Sequence, residues 1–184
     1  MQGFVNFADD IGVALAFLIP MICYLAGTGF VFAAGWGMWQ LSKHGHGHHA
    51  NWLASHPWTP FVTLFVGAAL LSYDRMLNLA EGTIGSAQTA AMSDSLTSYT
   101  PPNVDPNTLM GNSPEQTVLN VINVFEYFFV TYGALVVLMG IFALKHVSEG
   151  RRRHGPSLAI VQIAFGLGVM NIDTIAPAVM AYFA

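Results

Sequence analysis

Four charged side chains stand within or at the ends of long apolar segments, where an ionisable group is most costly. They are Asp74, Arg75, Glu126 and Asp173. Charges at membrane depth are normally paired, so our preferred interpretation is a structural clamp in which a carboxylate of the same chain or of a neighbour neutralises Arg75. Two other interpretations stay open: the carboxylates relay protons or ions, or Arg75 binds a lipid phosphate group.

A histidine-rich loop is the second group that could bind a ligand, with His44, His46, His48 and His49. Short His tracts can hold a divalent metal. However, glycine alternates with histidine and no carboxylate or cysteine lies nearby, so a defined metal site is disfavoured. Haem is not expected, because no predicted span contains a His as axial ligand. No nucleophile with its base and no phosphate-binding loop occurs, so we expect neither an enzyme nor a resident cofactor other than a bound phospholipid.

The composition indicates that lipid is the solvent of this chain. Hydrophobic residues make up 54% and charged residues only 9% of the 184 residues, and the net charge is −4. Soluble domains carry about 25% charged residues. The six Lys and Arg residues are scattered, which argues against sequence-specific nucleic-acid binding, and the single cysteine, Cys23, excludes an internal disulfide.

Four apolar segments are predicted to cross the membrane, because each reaches the roughly 20 residues that a spanning helix requires. They lie at about residues 21–41, 58–80, 117–145 and 157–184. The first belongs to a longer apolar run, in which Pro20 predicts a kink or a separate interfacial portion. Pro177 predicts a bend near the C-terminus. The predicted fold class is an all-α membrane protein with four transmembrane helices.

The chain repeats a short pattern, which predicts two related helical hairpins. Gly67–Asp74 (GAALLSYD) and Gly166–Asp173 (GLGVMNID) both begin with Gly, place a small polar residue sixth and end on Asp. The predicted organisation is a first hairpin at residues 1–80, a polar linker at 81–116 and a second hairpin at 117–184.

The positive charge predicts the orientation of both hairpins. All Lys and Arg residues except Arg75 lie in or beside the loops 42–57 and 146–156. The positive-inside rule therefore places both loops in the cytoplasm and the two termini and the linker outside it. Two hairpins of equal orientation form a parallel repeat.

Small residues predict where helices approach one another closely. Gly29, Ala33 and Gly37 recur at every fourth position and form a smooth strip for helix packing. Gly67, Gly166 and Gly168 are the corresponding candidates in the later spans.

Three runs resemble a known family of small membrane proteins. They are Tyr24–Phe32 (YLAGTGFVF), Thr63–Leu71 (TLFVGAALL) after a polar loop, and Ala164–Ile172 (AFGLGVMNI) near the end. The chain is similar here to the IcmC/DotE and TraQ-like proteins of type IVB (Dot/Icm-type) secretion and IncI-type conjugation systems. The resemblance implies a non-enzymatic subunit of an export apparatus in the bacterial inner membrane. It also implies a pilin-like ability to polymerise with lipid into an extracellular filament.

Two classes of function follow from these observations. The first is a structural or assembly subunit, whose partners are copies of itself, other secretion-system membrane subunits and lipid. The second is a small membrane transporter or ion channel that uses the charge set of Asp74, Arg75, Glu126 and Asp173. Scarce polar residues within the predicted spans favour the first class.

Overall fold

The fold was obtained as a computed structural model that describes residues 2–44, 58–84, 113–150 and 155–183. These residues form seven α-helices and no strand, so the predicted all-α class is confirmed for this part of the chain. The helices are α1 (Gln2–His44), α2 (Thr59–Leu71), α3 (Tyr73–Ile84), α4 (Pro114–Val124), α5 (Glu126–Ser148), α6 (Pro156–Met170) and α7 (Ile172–Phe183).

Two of these helices, α1 and α5, are each long and apolar enough to cross a membrane alone. Two further candidates are bent pairs: α2 with α3 turns by 82°, and α6 with α7 turns by 86°. The described chain therefore contains two candidate spans, or four if each bent pair crosses as one broken span. This agrees with a membrane protein, and the predicted four spans correspond to the upper count.

The second and fourth predicted spans are not continuous helices, which corrects the sequence prediction. The breaks fall at Ser72 and Asn171. At each break the backbone N–H and the side chain donate to one carbonyl four residues earlier, Ala68 for Ser72 and Leu167 for Asn171. Such side-chain bonds compete with the helical ladder and favour a bend. The predicted third span is also interrupted, at Phe125.

The two internal prolines do not end their helices. Helix α1 continues through Pro20, and α7 continues through Pro177. An internal proline removes one helical hydrogen bond. The 86° bend of the last segment lies at Asn171, upstream of Pro177. A kink at Pro20 and a further bend at Pro177 stay predictions.

Glycine pairs set the closest helix contacts. A Cβ atom on Gly27 of α1 would lie 3.1 Å from the carbonyl oxygen of Gly67 in α2, and one on Gly67 would lie 3.1 Å from that of Gly27. A Cβ on Gly133 of α5 would lie 2.6 Å from the carbonyl oxygen of Gly166 in α6, and the reverse distance is 2.8 Å. Backbones approach this closely only where side chains are absent.

One apolar core joins these helices. Tyr73, at the start of α3, is buried and donates a hydrogen bond from its hydroxyl group to the carbonyl oxygen of Ala134 in α5. The buried members of the core come from α1, α2, α3, α5 and α6: Ile19, Cys23, Val66, Leu70, Tyr73, Leu77, Ala134, Val137, Leu138, Ile141 and Met170. The break after α2 therefore places the Tyr73 side chain in the centre of the bundle.

The ends of α2 and α5 that border the two predicted cytoplasmic loops lie together. The hydroxyl group of Thr59, the first residue of α2, donates to the carbonyl oxygen of Ser148, the last residue of α5, over 2.8 Å. The start of α2 and the end of α5 therefore lie at the same end of the bundle. The breaks at Ser72 and Asn171 lie towards the opposite end.

Candidate functional site

The most distinctive polar site lies at the break between α2 and α3. A cavity of about 290 Å³ is lined by Tyr24 of α1 and by Leu71, Ser72, Asp74 and Arg75. A second, much smaller space of about 10 Å³ also borders Asp74, with Pro20 and Cys23 among its lining residues. The 82° turn at Ser72 is what separates α3 from α2 and brings two opposite charges to one cavity.

Asp74 borders both of these spaces. Its side chain is half-buried, and its Oδ1 atom is buried without a hydrogen-bond partner among the described residues. A buried carboxylate oxygen without a donor is costly, by about 1–3 kcal/mol or more. The small space beside Pro20 has about the minimum volume for one water molecule.

Arg75 does not form the predicted clamp within the described chain. Its side chain is exposed. Salt bridges among the described residues join Lys145 and His146 to Glu149, and none joins Arg75 to Asp74, Glu126 or Asp173. Adjacent helical residues point about 100° apart, which excludes Asp74 as a good direct partner. A clamp with a neighbouring chain stays a prediction.

The break between α6 and α7 has a different chemical character. Asn171 is 1% exposed and donates to the Leu167 carbonyl oxygen over 2.9 Å. Asp173 is half-buried and accepts a hydrogen bond from the Thr174 hydroxyl group over 3.4 Å. Thr174 occupies the position that corresponds to Arg75 in the repeated pattern. This site therefore carries a carboxylate without the adjacent cation.

Glu126 lies in the first turn of α5. A carboxylate at this position is favoured by the positive end of the helix dipole. Asp74 and Arg75 belong to α3 and Asp173 to α7.

A charged cluster that the sequence analysis did not identify lies at the loop end of α5. The Nζ atom of Lys145 is 2.6 Å from Glu149 Oε1, and it also lies 4.4 Å from the centre of the Phe30 ring. His146 Nδ1 is 3.6 Å from Glu149 Oε2. The four-residue spacing of Lys145 and Glu149 is the signal that could have predicted this pair. The cluster links α5 to α1 beside the two loops.

The predicted packing strip is only partly used within the chain. Gly29 and Ala33 are exposed, and a Cβ atom on Gly29 would meet nothing within 4 Å. Gly37 is buried. The intrachain contact uses Gly27 instead, two residues before Gly29.

Of the remaining predicted packing residues, Gly67 and Gly166 lie in close helix contacts. Gly168 is half-buried, and a Cβ atom there would touch only the Ile175 side chain, at 4.0 Å. A close contact that the sequence analysis missed involves Gly140, whose Cβ would lie 2.6 Å from Ile163 Cγ1.

The histidine loop contributes little to the described structure. His44 ends α1, whereas His46, His48 and His49 lie outside the described residues. Within the described ranges no group of three or more His, Cys, Asp or Glu side chains could hold a metal ion.

A separate apolar cleft lies between the N-terminal part of α1 and the start of α5. Its volume is about 290 Å³, and the lining residues are Phe7, Ala8, Ile11, Phe125, Phe128 and Phe129. Such a surface suits an apolar chain or helix.

Comparison of the chain with protein-family models, with curated proteins and with solved structures finds no match. The functional argument therefore rests on the geometry of this chain.

Proposed function

We propose that this chain is a non-enzymatic structural subunit of a larger membrane assembly, of the kind found in type IVB-like secretion and conjugation systems of the bacterial inner membrane. Its partners are further copies of itself and other membrane subunits of the apparatus. The specific apparatus follows from the resemblance of the three apolar runs, whereas the assembly role is supported by the shape of α1.

The observation that carries the assembly role is the long apolar face of α1. From Phe7 to Trp39 this face covers about 48 Å at 1.5 Å per residue, whereas the hydrocarbon core of a bilayer is about 30 Å thick. Exposed large side chains recur along its whole length: Phe7, Leu18, Met21, Leu25, Phe32, Trp36 and Trp39. Lipid alone does not cover such a face on an upright helix.

The short length of α2 also supports the assembly role. Helix α2 has 13 residues and is therefore about 20 Å long. Leu71, at its end, contacts α1 at Gly27, so the N-terminal half of α1 extends well beyond the break. Tilting the molecule cannot match both lengths to one bilayer, but partner subunits that cover the protruding half of α1 can. In the C-terminal half of the same helix, Gly29 and Ala33 are exposed and allow a partner helix to approach closely.

We further infer that the chain consists of two related hairpins with both loops in the cytoplasm and both termini outside. Two parallels support the repeat: each half has a close glycine contact, Gly27–Gly67 and Gly133–Gly166, and each half has a bend of similar size, at Ser72 and Asn171. The Thr59–Ser148 hydrogen bond supports a common side for the two loops. Repeated hairpins of this kind can assemble as pilin-like units together with lipid, in the membrane or in a filament.

A small transporter or ion channel is the second candidate. It is favoured by the two broken helices, because transporters build binding sites at such breaks. The half-buried Asp74 beside a polar cavity fits this role. Ion flux through liposomes that contain the purified wild-type chain would favour this candidate over the assembly role.

The test of the assembly role substitutes one open glycine on α1. Gly29→Leu adds a side chain at a position where a Cβ atom meets nothing within 4 Å, and this side chain holds a partner helix away. We expect the complex to dissociate to single chains in mild detergent, measured as mass by light scattering, while insertion and helix content stay normal.

Gly35→Leu is the matched control. Its Cβ position is also open, and it lies about 120° around the helix from Gly29. This variant should retain the mass of the wild-type complex. An unchanged complex in Gly29→Leu would show that this face of α1 contacts lipid.

A further inference from the structure

The cavity at the first helix break presents two opposite charges to one ligand. Asp74 and Arg75 both line it, together with the polar residues Tyr24 and Ser72. Its volume of about 290 Å³ is at the lower end of the range of ligand-binding pockets, and suits a small charged group. A ligand that pairs with both side chains carries a cationic group for Asp74 and an anionic group for Arg75.

Asp74 requires a cationic donor. It is half-buried and lines the cavity, and no salt bridge among the described residues engages its carboxylate. Charge-assisted bonds from an ammonium group to a carboxylate are about twice as strong as neutral ones. A primary ammonium group supplies both the charge and the N–H donors, whereas a quaternary ammonium group has no N–H to donate.

Arg75 requires an anion with more than one acceptor oxygen. Its guanidinium group carries five donors in a planar fork that matches phosphate geometry. The side chain is exposed and lines the cavity, and no salt bridge among the described residues engages it. A phosphate group can therefore bind Arg75 from the cavity.

We propose that this cavity binds the head group of a zwitterionic phospholipid with a primary amine, a phosphoethanolamine group. The phosphate binds Arg75, and the ammonium group binds Asp74. The acyl chains lie along the apolar surface beside Tyr24, where Leu25 is 77% exposed. This proposal goes beyond the assembly role and does not depend on it.

Charge selects among the lipid head groups. A phosphoglycerol head group brings a negative charge without an ammonium group, so Asp74 repels it. A phosphocholine head group has the correct charges but has no N–H to donate to the Asp74 carboxylate. Inorganic phosphate satisfies Arg75 alone. The predicted order of affinity is therefore phosphoethanolamine lipid first, with phosphocholine and phosphoglycerol lipids and free phosphate weaker.

The second half of the chain supplies an internal control. Asp173 occupies the equivalent position, but Thr174 replaces the arginine and donates to the Asp173 carboxylate. The head-group site is thus specific to the first break, and Asp173→Asn should not alter lipid binding.

The experiment titrates the purified full-length chain with phosphoethanolamine, phosphocholine and phosphoglycerol lipids of identical acyl chains and counts bound lipid by native mass spectrometry. The wild-type chain should prefer the phosphoethanolamine lipid. Asp74→Asn should weaken that binding by roughly ten-fold or more and remove the preference, because a charged hydrogen bond is lost. Arg75→Gln should weaken the binding of all three lipids, and Asp173→Asn should match the wild type.

Equal binding of the three lipids by the wild type, or an unchanged preference in Asp74→Asn, would overturn the proposal. Displacement of bound lipid by millimolar inorganic phosphate would show that the site recognises phosphate alone. Helix content checks the folding of each variant, and the exposed Arg75→Gln variant still decides the matter if Asp74→Asn does not fold. The mass of the complex, measured on the same samples, separates failure of this site from failure of the assembly role.

Discussion

At the scale of single residues, Tyr73 and Asp74 show how one break in a helix serves two purposes. The turn at Ser72 sends Tyr73 into the core, where its hydroxyl group donates to the Ala134 carbonyl oxygen of α5. It leaves Asp74 at the cavity beside Arg75. Tyr73 thus anchors the bend, and the next two residues, Asp74 and Arg75, carry the charges that line the cavity.

Removing the hydroxyl group of Tyr73 tests the anchor. Tyr73→Phe retains the buried ring and loses one hydrogen bond, so the free energy of unfolding should fall by about 0.5–1.5 kcal/mol. Unfolding in a denaturing detergent titration measures this change. Tyr24→Phe is the control: Tyr24 is 53% exposed, so the free energy of unfolding of this variant should be close to that of the wild type. Equal losses in both variants would mean that the bond to Ala134 does not stabilise the fold.

The sequence predicted some residues of the site but not the cavity that they line. Asp74 and Arg75 were identified because charges in apolar segments are conspicuous. The cavity was not predicted, because Ser72 in an apolar run is as compatible with a continuous helix as with a break. Lys145 and Glu149 were missed as a pair because they lie at the end of the predicted third span, where charges are ordinary.

At the scale of helices, periodicity predicted the apolar segments but not the faces by which they pack. Glycines recur at 27, 29, 35 and 37 in α1, and the residues alone do not tell which of them meets α2. Gly27 makes the contact with Gly67, while Gly29 stays exposed. A shift of two residues turns the helix by about 200°, so the choice depends on the register of the partner helix.

The tightest helix contact gives a clear prediction at this scale. A Cβ atom on Gly133 would lie 2.5 Å from Met170 Cγ and 2.6 Å from the Gly166 carbonyl oxygen. Gly133→Ala should therefore destabilise the chain by about 1–3 kcal/mol through overpacking of α5 against α6. Gly29→Ala, where the space is open, should instead stabilise it by up to about 1 kcal/mol through helix propensity. Detergent unfolding of both variants measures the two free energies, and a neutral Gly133→Ala would contradict the close contact.

At the scale of the whole molecule, the proposed orientation can be tested directly. Both loops should lie in the cytoplasm, because they carry the positive charge. In a Cys23→Ser background, a cysteine at Ser113 should react with an impermeant maleimide in intact cells, and a cysteine at Ser55 should react only after lysis. The reverse pattern of labelling would invert the topology.

The dimensions of the helices support the proposed role as a subunit. An apolar face about 48 Å long on α1 stands beside a second helix of about 20 Å, and no single bilayer thickness matches both. We propose that further copies of the chain cover α1 and so remove the mismatch. The open Gly29 and exposed Ala33 suit such a contact.

The most direct test of the assembly role is the mass of the wild-type complex, extracted from its native membrane into lipid nanodiscs without detergent. The account predicts a particle that contains at least two copies of the 19.9-kDa chain, alone or with other membrane subunits. A particle that contains one 19.9-kDa chain surrounded only by lipid would contradict it.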